Sequence, residues 1–147
     1  MKKRKKTAAS VYIDLGNNLL KQDRSPEAEI ALKKALEMNP DDKDVNFNYG
    51  LALLKLDKYS EAMKPFKRVV ELDSLDKAGH YYLGFVYLKT ENYTDAVGAF
   101  TKVITLDPDY CEAYLSRAFA HRELGDKNAA YDDAKKGTEC NEEKGEE

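Results

Sequence analysis

The chain has 147 residues, of which 42% are hydrophobic and 35% are charged, and this length suits a single domain. The net charge is −3, and with Lys2 to Lys6 set aside 19 basic residues face 27 acidic ones, so we expect the body to repel nucleic acid and anionic membranes. No run of about 18 apolar residues is present, so the sequence predicts no membrane span.

Residues 1–8 form a predicted basic N-terminal tail. Its run KKRKK is typical of a nuclear localisation signal or of a segment that binds RNA or acidic lipid. It is also typical of a terminus that only increases solubility. No aromatic residue is interleaved with the basic ones, and Asp14 interrupts the apolar stretch that a signal peptide would need. We therefore expect no signal peptide.

The spacing of apolar residues over residues 9–42 predicts two helices joined by a turn. Tyr12, Gly16 and Leu19 recur at helical spacing, and a second stripe begins at Ala28. Ser25 followed by Pro26 predicts the start of the second helix, with the serine as its N-cap. Asn39-Pro40-Asp41 predicts its end.

The same pattern recurs over residues 43–76, 77–110 and 111–142, so that equivalent residues fall into columns one period of about 34 residues apart. The columns comprise Gly16, Gly50, Gly84 and Ala118; Ala28, Ala62, Ala96 and Ala130; Leu32, Phe66, Phe100 and Ala134; and Pro40, Ser74, Pro108 and Glu142. A glycine in mid-helix costs roughly 0.5–1 kcal/mol relative to alanine. The glycine column therefore predicts that a neighbouring helix approaches closely there. In the second unit, Pro65 predicts a kink or a delayed start of its helix.

The third unit carries the most complete motif, an L-G-x-x-Y segment followed by A-x-x-x-F and a proline. The residues are Leu83, Gly84, Tyr87, Ala96, Phe100 and Pro108. The chain thus resembles a tetratricopeptide-repeat (TPR) protein over residues 9–142. The resemblance implies an all-α fold, a right-handed superhelical solenoid of four helix–turn–helix repeats.

The fourth unit drifts from the pattern, with Arg117 and Gly137 in apolar columns, as a terminal repeat would. Residues 143–147 form a predicted acidic C-terminal tail, and we expect disorder from Glu139 onward. Cys111 and Cys140 have no CxxC partner, so the sequence predicts neither a disulfide framework nor a zinc site and favours a reduced, cytoplasmic compartment.

Catalytic motifs are absent from the sequence. His80 and His121 fall in columns of packed helix residues, and no phosphate-binding loop, metalloprotease helix or nucleophile elbow occurs. We therefore expect no enzyme activity, no cofactor and no bound metal.

In TPR proteins the first helices of successive repeats line a concave groove that holds a partner's peptide or helix. Carried over by column, this predicts an apolar, aromatic peptide-binding groove with a basic rim. The groove residues are Ile13, Asn17, Phe47, Asn48, Leu51, Tyr81, Tyr82, Phe85, Leu115 and Phe119, and the rim residues are Lys21, Lys55 and Lys89.

The family's two-carboxylate clamp, which holds the acidic C-termini of chaperones, is matched only at its asparagines, Asn17 and Asn48. Its basic positions hold Ile13, Ala78 and Tyr82. The predicted function is therefore a protein–protein interaction module, a scaffold or adaptor. The alternatives are a co-chaperone-like adaptor for acidic tails, a self-associating scaffold or homo-oligomer, and a nucleic-acid-associated factor working through the basic N-terminus.

Overall fold

The structure is a computed structural model that describes residues 5–145; Lys2 to Arg4 of the basic run and the last two glutamates lie outside this range. The described residues form eight α-helices and no strand. The helices are α1 (Ala8–Lys21), α2 (Ser25–Met38), α3 (Lys43–Lys55), α4 (Tyr59–Leu72), α5 (Lys77–Lys89), α6 (Tyr93–Leu106), α7 (Cys111–Glu123) and α8 (Lys127–Gly145). The all-α class and the four helix–turn–helix repeats are thus confirmed. No helix in residues 5–145 has the length and apolarity needed to cross a membrane.

The glycine column marks the place where the two helices of a repeat meet. A Cβ added at Gly16 would lie 2.5 Å from Leu32 Cγ, and one added at Gly50 would lie 2.6 Å from Phe66 Cζ. A Cβ at Gly84 would lie 2.8 Å from Phe100 Cε1. The predicted close approach is confirmed, since any larger side chain would collide with a buried residue of the second helix.

Each first helix of a repeat ends in a tight turn at one column, where the backbone has a positive φ. The φ values are 58° at Asp23, 58° at Asp57, 61° at Glu91 and 83° at Gly125. Only the last of these residues is a glycine, for which this conformation is free of strain. The turn brings the chain directly into the second helix of the repeat.

The predicted serine N-cap of the second helix is wrong by one residue. Helix α2 begins at Ser25 itself, and its N-cap is Arg24, whose side chain makes no capping hydrogen bond. The tight turn supplies backbone hydrogen bonds instead, among them one from the Arg24 N–H to the Leu19 carbonyl at 2.9 Å. Side-chain caps serve three of the first helices, α1, α3 and α5, and not α7. In α3 and α5, Asp42 and Asp76 accept hydrogen bonds from the N–H groups of Val45 and Gly79.

The described chain divides into two compact units, and unit 1 spans Met1–Ser74. Its core joins buried residues of α1, α2 and α3, including Leu19, Leu32 and Val45. Pro65 is buried inside α4, which starts six residues earlier at Tyr59, so the delayed start predicted for this helix is wrong. The proline forms part of a cleft on the second helices, which is considered below.

Unit 2 spans Leu75–Glu147, and its core is built around Phe100 and Val103 of α6 and Ala113 and Ala120 of α7. Helix α8 continues to Gly145, so the disorder expected from Glu139 onward is wrong up to that residue. The expectation that the cysteines form no disulfide is also wrong. Cys111 opens α7 and Cys140 lies near the end of α8, and the pairing of these two helices joins them in a disulfide.

Candidate functional site

Unit 2 contains a cavity of about 480 Å³ between its two first helices, α5 and α7, and the turn that leads into α6. Four aromatic residues, two leucines, one serine and two charged residues line it. The lining residues are Tyr81, Phe85, Leu88, Lys89, Glu91, Tyr93, Leu115, Ser116 and Phe119. A concave site with mostly apolar walls and few polar groups is the usual form of a binding pocket.

Tyr81 forms a fixed wall of this cavity because its ring is packed against the core. The ring centroid lies 5.7 Å from that of Phe100, which is fully buried, and 5.2 Å from that of Tyr110. These tilted and edge-to-face contacts are favourable for aromatic pairs. The tyrosine therefore presents a preorganised surface and needs little ordering when a ligand binds.

Phe119 is the most accessible ring of the cavity, with 41% of the residue exposed. Its centroid lies 6.4 Å from that of Tyr93, and the guanidinium carbon of Arg122 lies 4.7 Å from its centroid. A second cation, Lys89 Nζ, lies 5.5 Å from the Phe85 ring centroid. Both contacts are cation–π interactions, and they place positive charge beside apolar walls.

Leu115 is held by a close contact between helices. A Cβ added at Gly137 of α8 would lie 2.6 Å from Leu115 Cδ2, so the glycine makes room for this side chain. Close packing against Leu115 therefore explains why a glycine stands at position 137, where the other repeats have a larger apolar residue. Leu115 itself remains 37% exposed and lines the cavity.

Tyr93 supplies a polar group to the cavity. Burial raises the pKa of its hydroxyl above the ordinary value, and the carboxylates of Glu91 and Glu123 raise it further. The hydroxyl is therefore protonated at neutral pH and can donate or accept a hydrogen bond. Together with Ser116, it gives this apolar cavity two neutral hydrogen-bonding groups.

In unit 1, the first helices α1 and α3 carry the remaining predicted groove residues. Asn48 Nδ2 donates a hydrogen bond to Asn17 Oδ1 at 2.8 Å, so the two asparagines are paired with each other. This pairing leaves the Asn17 amide nitrogen and the Asn48 amide oxygen for other partners. The Phe47 ring lies edge-on to buried Phe66, with centroids 5.8 Å apart. This side chain therefore packs against the core as well as forming part of the helix surface.

The other predicted groove residues of unit 1, Ile13 and Leu51, are half-buried, and Ile13 packs against the core. Of the predicted rim, Lys55 forms an ion pair with Asp23 at 2.6 Å, and Lys21 is exposed on the last turn of α1. The predicted rim lysines of unit 1 therefore lie in different surroundings.

Four predicted groove residues, Tyr81, Phe85, Leu115 and Phe119, meet in the cavity of unit 2, and the predicted rim residue Lys89 joins them. Tyr82 does not line this cavity, and its ring lies edge-on to that of Tyr81.

The sequence prediction missed Glu91 and Tyr93. Leu88 and Ser116 lie on the first helices α5 and α7, in columns that the sequence also assigns to the groove face. Glu91 lies in the turn after α5, and Tyr93 is the first residue of α6. The predicted groove columns cover only the first helices, so they include neither residue.

No cluster of three or more histidine, cysteine, aspartate or glutamate residues in the range 5–145 has the geometry to hold a metal ion.

Comparison with known proteins identifies the repeats. Two family models, both described as tetratricopeptide repeat, match residues 13–77 and 78–110. A comparison with curated proteins found no match.

Solved structures share the fold. The crystal structure of MamA is 24% identical, with a TM-score of 0.88 over 95% of this chain and 81% of that one. The crystal structure of YrrB, described as a TPR protein with an unusual peptide-binding site, is 22% identical, with a TM-score of 0.88 over 90% of this chain and 69% of that one. The repeats, the helix order and these matches agree, and the chain belongs to the tetratricopeptide-repeat family.

Proposed function

We propose that this protein is a non-enzymatic interaction scaffold that holds an apolar or aromatic side chain of a partner's peptide in the cavity of unit 2. Its family is a non-catalytic module for protein interaction, which supports the scaffold. The observation that carries the proposal is the meeting of four aromatic rings, from Tyr81, Phe85, Tyr93 and Phe119, around one open cavity.

The size and chemistry of the cavity favour a bulky anchor side chain. A volume of about 480 Å³ falls within the usual range for ligand pockets and accommodates one or two large side chains of a peptide. Leu88 and Leu115 complete the apolar walls. Burial of one aromatic anchor in such a pocket is typical of the residues that dominate binding energy.

The polar groups at the cavity favour recognition of the peptide main chain. The hydroxyls of Tyr93 and Ser116 can each donate to a carbonyl or accept from an N–H group. In unit 1, the Asn17–Asn48 pair offers one donor and one acceptor of its own to a main chain. Such contacts hold a backbone whatever its side chains are, so specificity comes from the anchor.

The basic groups beside the cavity favour acidic residues next to the anchor. Arg122 lies over Phe119, and its contact with Glu123 is a surface ion pair at 3.2 Å, which contributes little energy. We expect this charge to speed association more than it tightens binding. The description of YrrB as a peptide-binding TPR protein is consistent with a peptide ligand for the same fold.

A selection from a random peptide library against the full chain tests this function. We expect enrichment of peptides with an aromatic or large aliphatic anchor. Their dissociation constants should be around micromolar, which corresponds to a binding free energy near −8 kcal/mol. Phe119→Ala should weaken their binding by about 1–3 kcal/mol. The matched control is Tyr131→Ala, because Tyr131 is an aromatic residue of the same unit, 69% exposed and outside the cavity.

Binding that survives Phe119→Ala, or that Tyr131→Ala weakens equally, would contradict the proposed site. Enrichment of peptides defined only by an acidic C-terminus would instead favour the chaperone-tail adaptor.

A further inference from the structure

Unit 1 contains a larger cavity, of about 950 Å³, on a different set of helices from the predicted groove. It lies between the second helices α2 and α4, and residues of α3 form its floor. The walls are apolar over much of their area, and the floor is polar. The wall residues include Leu36, Pro40, Met63 and Pro65, and the floor residues are Asn46 and Tyr49.

Asn46 presents an unpaired acceptor to this cavity. The residue is only 5% exposed, and its Nδ2 donates to the carbonyls of Pro40 at 2.9 Å and Asp42 at 2.8 Å. Both donors of the amide are thereby used, and Oδ1 has no hydrogen-bond partner. Since no solvent-sealed polar side-chain atom in the described residues lacks a partner, Oδ1 has contact with solvent, and Asn46 is one of the residues that line the cavity.

The rest of the floor also favours a donor or a cation. Burial raises the pKa of the Tyr49 hydroxyl above its ordinary value; the carboxylates of Glu29 and Glu61 raise it further, and the charge of Lys58 lowers it. Glu37 and Glu61 line the cavity. A carbonyl, a phenol and two carboxylates therefore surround one space.

Unit 2 indicates which group fits such a cleft. Two repeat periods further along the chain, Arg117 occupies the position of Tyr49 and Asp133 that of Pro65. The Arg117 guanidinium lies between α6 and α8, donating to both Asp133 oxygens at 2.6 and 2.7 Å and to Thr101 Oγ1 at 3.0 Å. It also lies 5.9 Å from the Tyr114 ring centroid. In unit 2, the chain's own arginine thus bridges its two second helices.

We propose that the cleft between α2 and α4 binds an arginine side chain of a partner protein. The guanidinium contacts Asn46 Oδ1, the Tyr49 hydroxyl and the carboxylates of Glu37 and Glu61, and its aliphatic stem packs on Leu36 and Pro40. Arginine suits this site better than lysine because its planar group carries five donors in a fixed arrangement, which can serve several acceptors at once.

The basic residues that line the same cleft do not prevent a guanidinium from binding at the floor. Arg68 is neutralised by Asp41 and by Glu71 at 2.9 Å. Lys33, Lys64 and Lys67 are exposed, as are Glu37 and Glu61, so solvent and salt screen the charges of both signs at the rim. The acceptors of the floor lie deeper, where screening is weaker.

The probe for this site is N-acetyl-arginine amide, titrated into the ¹⁵N-labelled full chain and followed by amide chemical shifts. We expect saturable shifts at the Asn46 side-chain amide and at Tyr49, with a dissociation constant in the millimolar range. N-acetyl-norleucine amide, which has a stem and no guanidinium, should give no saturable shift. The double variant Tyr49→Phe with Glu61→Gln removes two acceptors at nearly constant shape and should raise the dissociation constant at least fivefold.

The matched control is Tyr131→Ala, an exposed position of unit 2 outside both cavities, which should leave the affinity for the probe unchanged. The proposal is overturned if N-acetyl-arginine amide gives no saturable shift around α2 and α4. It is also overturned if N-acetyl-norleucine amide binds equally well, or if the double variant binds like the wild type. These readouts are independent of the peptide groove, so the failure of either site leaves the other testable.

Discussion

The same cleft between successive second helices is built differently in the two units of this protein. In unit 1 it is open, with Tyr49 on the floor and Pro65 on the wall. In unit 2 the equivalent positions hold Arg117 and Asp133, which form a two-pronged ion pair with the aspartate almost buried. Substitutions at two columns thus convert an open surface cleft into an internal bridge, while the repeat backbone is retained.

The ion pair of unit 2 should give the largest effect on stability. Asp133→Ala would leave the half-buried Arg117 guanidinium without its carboxylate, and we expect the free energy of unfolding to fall by about 3 kcal/mol. In the wild type, hydrogen bonding to Asp133 raises the pKa of Arg117 above its usual range. Without Asp133 the guanidinium still keeps its charge, because arginine is not deprotonated in proteins. Urea denaturation of both proteins measures the difference.

The control converts both positions to the residues of the third repeat, Leu83 and Ala99. The double variant Arg117→Leu with Asp133→Ala should recover most of the lost stability, because an apolar pair replaces a buried ion pair at little net cost. A double variant as unstable as Asp133→Ala alone would show that the bridge itself, and not the orphaned charge, determines the stability.

The disulfide distinguishes unit 2 from unit 1 in a second way. Cys111 and Cys140 are 29 residues apart, and closing this loop restricts the unfolded chain. We expect Cys140→Ser to lower the free energy of unfolding by about 2–3 kcal/mol under oxidising conditions. The measurement is thermal unfolding with and without reductant; a difference that persists unchanged in reductant would argue against the disulfide as its cause.

Two glycines of unit 2 should respond to alanine in opposite directions. Gly84→Ala forces a Cβ to within 2.8 Å of the buried Phe100 ring and should cost about 1–2 kcal/mol of stability, the overpacking penalty less the gain in helix propensity. Gly98→Ala meets no atom within 4 Å and should gain about 0.5–1 kcal/mol. Equal effects in denaturant melts would mean that close helix approach does not explain the glycine column.

The smallest predicted effect concerns the turns after the first helices of unit 2. Gly125→Ala places a Cβ at a φ of 83° and should cost about 1 kcal/mol. Glu91→Gly relieves the same strain at a φ of 61° and should gain about 0.5 kcal/mol, because the more flexible unfolded chain offsets part of the relief. Thermal melts should therefore shift in opposite directions, and a stabilising Gly125→Ala would contradict this account of the turn.

The sequence predicted the repeats well because each rests on local periodicity. The helix pairs and the close contacts of Gly16, Gly50 and Gly84 follow from columns that recur every 34 residues or so. Tyr81, Phe85, Leu115 and Phe119, which line the cavity of unit 2, were named from the sequence for the same reason, since they occupy first-helix columns.

The remaining features depend on contacts that periodicity does not encode. The Asn17–Asn48 hydrogen bond pairs positions 31 residues apart, which do not share a column. The Arg117–Asp133 bridge replaces apolar residues at two columns at once, and either substitution alone resembles drift in a terminal repeat. The cysteines meet because α7 and α8 pair along their lengths, and because α8 stays helical past Glu139, where disorder was expected.

The most direct test of the proposed scaffold function is nuclear Overhauser contact between a selected peptide and the methyl and ring protons of the full chain. The proposal predicts contacts from the peptide's anchor side chain to the Leu115 methyl groups and to the rings of Phe85 and Phe119. Contacts from the anchor only to residues of α2 and α4, or to the exposed ring of Tyr131, would contradict it.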